Sequence, residues 1–160
     1  MLATLIAAFA FGGPVGAAQR DSAVIVDSGS TNTQGYKIQV WSDNTASITM
    51  QSRAGAAEST PKAFNVPAET AAKLFADLAA ARKARVTSGP CMKSASFGTT
   101  THVTWQDWVS PDLDCPPNDA LTAALVKDVE AIRQASGLNS LPIRRPPLAM
   151  PASPPKEPNR

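Results

Sequence analysis

Few side chains in this sequence could carry out covalent or metal chemistry. There is one histidine, His102, and there are two cysteines, Cys91 and Cys115. A serine hydrolase needs a nucleophile, a base and an orienting acid within mutual reach. Ser94 or Ser96 with His102 and Asp112 offers those residue types, but neither serine sits in a nucleophile-elbow sequence. Asp112 and Asp114 are paired carboxylates, and glycosidase work would require a cleft between them and a raised pKa on one. In their proline-bounded stretch they read instead as turn and cap formers. Zinc sites draw on several His or Cys ligands at short spacing, so no metal site is expected. Ser28-Gly29-Ser30 lacks the lysine and following helix of a phosphate cradle, and no cofactor is expected either.

The two cysteines have a simpler use. In a chain that leaves the cytoplasm, a lone pair of thiols makes one bridge. A Cys91–Cys115 disulfide would contribute about 3–4 kcal/mol by restricting the unfolded chain. The competing use, a reactive Cys91 with His102 as its base, has no other residue behind it.

Export is indicated at the start of the sequence. Leu2 to Phe11 is an uncharged, largely apolar run, followed by small residues that place Gly16 and Ala18 at the −3 and −1 positions of a cleavage site. Residues 1–18 therefore read as a signal peptide, the run being too short to span a membrane. The expected destination is the periplasm or the extracellular space. At the other end, residues 141–160 contain seven prolines and a net charge of +3, the composition of a disordered basic tail. Between them, residues 19–140 carry a net charge of −1. That near-neutral body lacks the concentrated basic surface that nucleic-acid binding requires.

The body must supply the frame for any site. Ala23 to Val26 is a short branched apolar run, the pattern of a buried strand. Tyr36 to Trp41 and Ala46 to Gln51 alternate apolar with polar, two strands of a hairpin with one buried face. A three-residue loop Asp43–Thr45 would pair Val40 with Ile48 and Ile38 with Met50, gathering the apolar side chains on one side. Residues 52–62 read as a loop, and Phe64 to Val66 as a lead-in to Pro67. Ala68 to Arg85 is an amphipathic helix, with Glu69 early and Arg82, Lys83 and Arg85 late, as the helix dipole favours. Thr99 to Trp105 and Trp108 to Ser110 form a second hairpin around Gln106-Asp107, with Trp105 and Trp108 opposite one another in the core. A second helix runs from Asp119 to Ser136, capped by Asn118 and stopped by Gly137.

The expected fold is α+β, an antiparallel sheet of about five strands in the order β-β-β-α-β-β-α, with both helices on one face. The other face stays open to water. The alternation places Trp41 there, beside Lys37, Gln39, Ser47 and Thr49, unless residues 52–62 fold over it. An indole so placed could stack on a sugar ring or anchor a protein. Trp41, Lys37, Gln39 and Thr49 are the candidate binding residues, and a protein or a cell-envelope polymer the candidate partner.

Val26-Asp27-Ser28-Gly29, the Ser94–Thr99 stretch and the Ser110–Pro116 stretch resemble those of uncharacterised exported bacterial proteins, a likeness that brings no activity with it. The strand with Ser28-Gly29, the hairpin, and the helix with Leu74 and Leu78 are also similar in layout to emfourin-type inhibitors of thermolysin-like metalloproteases. That resemblance implies protease inhibition; the disulfide and export signal depart from its pattern. The leading expectation is an exported, non-catalytic binding module. A small secreted serine hydrolase and a structural envelope protein held by its basic tail are the alternatives.

Overall fold

A computed structural model describes residues 20–52, 56–87, 89, 91–93 and 98–138. Residues 1–18, expected to be a signal peptide, the proline-rich residues 141–160, Ser94 and Ser96 lie outside the described residues.

The strands are β1 (Ser22–Asp27), β2 (Gly35–Trp41), β3 (Thr45–Gln51), β4 (Lys62–Asn65), β5 (Thr101–Trp105) and β6 (Trp108–Val109). The helices are α1 (Ala68–Ala84), between β4 and β5, and α2 (Ala120–Ala135) after β6. The strands form one antiparallel sheet in the order β4-β3-β2-β1-β5-β6. The sheet is thus six-stranded where about five were expected. The additional strand, β4, comes from the end of the expected loop and the lead-in to Pro67. It forms because pairing with β3 sets Phe64 opposite Ala46 on the core side, while Lys62 closes the free edge with a charge.

Strand β1 lies centrally, between β2 and β5, yet only one of its faces is fully buried. Ala23, Ile25 and Asp27 point into the core and Val24 and Val26 are half-buried on the other side. The β2–β3 hairpin has a three-residue loop, but it is Ser42–Asn44 rather than Asp43–Thr45. Val40 therefore faces Ala46, and Ile38 faces Ile48. Asn44 takes the left-handed conformation at φ 68°, which asparagine tolerates. Asp43 Oδ1 accepts hydrogen bonds from the backbone N–H and the hydroxyl of Thr45. The shift of two residues leaves every side chain on its expected face.

Both helices pack on the same side of the sheet. Leu74 and Leu78 of α1, and Leu125 and Ile132 of α2, are fully buried with Ile25, Ile38, Val40 and Val103. Phe75 meets Trp105 edge to face at 6.5 Å. The cap of α2 is Asp119, one residue later than expected, its carboxylate accepting from the Thr122 N–H at 2.8 Å. Cys91 and Cys115 are bridged, with Cα atoms 5.7 Å apart. Lys93 reinforces that closure by donating to Asp112 and to the Thr99 carbonyl.

Candidate functional site

Because α1 and α2 share one side, the opposite face carries no helix among the described residues. Cross-strand register arranges its side chains in rows. One row crosses all six strands: Ala63, Ser47, Gln39, Val24, Thr104 and Val109. A second runs Thr49, Lys37, Val26, His102. Trp41 stands at the end of β2, opposite Ser22 of β1. The structure thus brings Trp41, Lys37, Gln39 and Thr49 onto one face, Lys37 directly across from Thr49.

Trp41 is half-buried, and its cover is not the segment after β3. Residues 56–59 bond to Met50, Gln51 and Ser52, at the far end of the hairpin from Trp41. It is Arg20 that lies over the indole, its guanidinium carbon 5.8 Å from the ring centroid. The guanidinium also pairs with Asp43. The hydrogen bonds from Thr45 and Arg20 bring the Asp43 carboxyl down to about 2. Beside this stack is a shallow, open depression of about 500 Å³ lined by Arg20, Asp21, Ser22, Val24, Thr104 and Gln106. Arg20, Val24 and Val26 belong to this face as well and were not evident in the sequence. The period-two alternation of Val24 and Val26 was hidden within a run in which every residue is apolar.

Lys37 is exposed and has no salt-bridge partner among the described residues. Gln39 reaches across to Ser22, 3.4 Å away. Val109 is 55% exposed. The face thus combines an aliphatic strip, one indole stacked by a guanidinium, an unpaired ammonium, and hydroxyl and amide groups around them.

Of the residues of the catalytic alternative, His102 and Asp112 are described, and they do not contact one another. His102 lies on the open face, as its alternation required, and its Nδ1 donates to the Ser110 carbonyl at 3.0 Å. Asp112 does not orient it. That carboxylate accepts from the backbone N–H groups of Thr101 and Asp114 and pairs with Lys93. Burial works against its ionisation, but the Lys93 and backbone hydrogen bonds hold its carboxyl below the usual range. Arg82, at the end of α1, pairs with Asp107 in the β5–β6 turn, 2.6 Å away. Among the described residues no group of three or more His, Cys, Asp or Glu could hold a metal ion, and no helix is long and apolar enough to cross a membrane.

No protein-family model, curated protein or solved structure matches the chain.

A second polar cluster occupies the opposite end of the sheet, on the core side. Asp27, 8% exposed at the end of β1, accepts from the Gly29 N–H at 2.7 Å. The Thr101 hydroxyl lies 3.1 Å from Asp27 Oδ2 and 3.0 Å from Asp114 Oδ1. Burial pushes the Asp27 carboxyl up, and the Asp114 charge adds to that shift. Tyr36, facing Asp27 on β2, is also pushed up by burial. This cluster ties β1, β5 and the disulfide-bearing segment together.

Proposed function

We propose that this domain is an exported, non-catalytic binding module that captures a protein partner on the open face of its sheet. The observation that carries the reading is the row-wise placement of Val24, Val26 and Trp41 on a face with no helix over it. Protein interfaces concentrate their energy in Trp, Tyr and Arg anchors set within apolar surface and ringed by polar groups. Trp41 under Arg20, the valines, and the surrounding Gln39, Ser47 and Thr49 meet that description. Polysaccharide stacking would draw on several exposed aromatic rings; this face offers one, already half-covered. The unpaired ammonium of Lys37 calls for a carboxylate on the partner. The Leu2–Phe11 run and the disulfide support export.

The layout resemblance to emfourin-type inhibitors names the first partner to test, a thermolysin-like metalloprotease. The purified protein is titrated against such a protease with a fluorogenic peptide substrate. Saturable inhibition, weakened at least tenfold in both Trp41→Ala and Lys37→Glu, is the expected result. Absence of inhibition by the wild type discards the protease as partner. Capture from a periplasmic extract then compares wild type with Val24→Lys, and equal recovery of every captured protein discards the face.

A further inference from the structure

The seam between the two helices holds more carboxylate than it can neutralise. Asp128 of α2 is 3% exposed. Its Oδ1 accepts from the Lys73 ammonium of α1 at 2.8 Å, and the same ammonium donates to Asp77 Oδ2 at 2.6 Å. Asp128 Oδ2 is buried, and no donor among the described residues reaches it. One cation therefore serves two carboxylates, and the charged groups facing Asp128 are Lys73 and Asp77, both from α1. An ionised pair leaves a surplus negative charge and a bare lone pair in the seam, both costly away from water.

A single proton removes both costs. Placed on Asp128 Oδ2 it cancels the surplus charge and turns the orphaned oxygen into a donor, for which the Asp77 carboxylate is the acceptor within reach. We propose that Asp77, Lys73 and Asp128 form a proton-binding site across the α1–α2 seam, occupied in mildly acidic surroundings, whose proton loss loosens the helix pair. The uneven surroundings of the two acids decide which takes the proton. Burial drives the Asp128 carboxyl up to about 6. Asp77 feels burial too, but hydrogen bonds with Lys73 and Asp128 hold it below the usual carboxylate range.

The sign of the effect follows by linkage. A carboxyl raised in the folded state stabilises fully below its ordinary value, and that contribution is lost as pH rises through about 6. Urea unfolding of the full chain at pH 5.0 and pH 7.5 reads the effect directly. For the wild type the unfolding equilibrium constant should be larger at pH 7.5, by on the order of tenfold. Asp128→Asn, a neutral mimic of the protonated acid, should show a pH dependence smaller than the wild type's by about that factor and be the more stable protein at pH 7.5. Equal pH dependence in the two proteins, or a variant weaker than wild type at both pH values, overturns the site. Carboxyl-carbon NMR of the wild type decides the matter if the variant does not fold. The Asp128 carbon should titrate between pH 5 and 7 and move higher in Lys73→Met; titration in the ordinary aspartate range overturns the proposal.

Discussion

The indole N–H of Trp105 is held by the carboxylate of Asp21, with both carboxylate oxygens 3.0 Å from Nε1. Trp105 is a core residue, packed on Phe75 and paired with Ala23 across β1 and β5. Its one polar atom must find a partner at the margin of the core. Asp21, just ahead of β1, supplies it, and the Asp21 carbonyl also accepts from Ser42 in the hairpin loop. Asp21→Ala leaves a donor in the core margin without its acceptor. The expected loss is about 1–3 kcal/mol, with a change in tryptophan fluorescence. An unaltered urea midpoint would show that water replaces the carboxylate at no cost.

The Cys91–Cys115 bridge closes the segment that Lys93 then pins to Asp112. Replacing both cysteines by serine should cost about 2–4 kcal/mol. Urea unfolding with and without a reductant gives the check. The wild type should fall to the double variant's midpoint when reduced, and the variant should not respond.

The Thr101 hydroxyl has one proton and two carboxylate neighbours, so it can donate fully to only one of them while both are ionised. Asp27 is the deeper of the two, and burial raises its pKa. Its folded-state protonation is therefore easier than in the unfolded chain, and its contribution to stability is present at low pH and lost as pH rises through the folded value. Thr101→Val deletes the shared donor and leaves the ionised Asp27 poorer by one hydrogen bond. The loss should be about 1–3 kcal/mol at pH 7 and smaller at pH 4.5. Urea midpoints of the variant and wild type at the two pH values test this; a loss that grows on acidification contradicts the assignment.

How much of this could be read from the residues themselves varies by element. The β2 and β3 strands were legible because strict alternation survives any even shift of register, so Trp41 and Lys37 fell on the correct face although the loop was misplaced by one residue. The disulfide was legible because a chain with two cysteines has only one possible intramolecular pairing. Strand β4 was not, since Lys62–Asn65 is too short to show a period and forms only because β3 offers an edge. Arg20 over Trp41 was not either, because that contact joins positions far apart in sequence, through the side chain of a residue outside any element. Asp128 was hidden for a related reason. A carboxylate on a helix reads as solvated until the partner helix places Lys73 beside it.

Trp41 and Leu78 separate the two roles that a large apolar side chain can have here. Leu78 is fully buried between α1 and the sheet, and Leu78→Ala should cost about 2–5 kcal/mol through the lost contacts and the cavity left behind. Trp41 is half-exposed on the far side, and its partner Arg20 keeps its bond to Asp43 when the ring is removed. The stack itself is worth about 0.5–1 kcal/mol at an exposed site, so Trp41→Ala should cost about 1 kcal/mol. Urea unfolding of both variants beside the wild type makes the comparison. A Trp41→Ala loss as large as that of Leu78→Ala would mean that the indole holds the sheet together. A small loss leaves the ring free to serve a partner, because a costly apolar surface is then being kept on the face without a structural return.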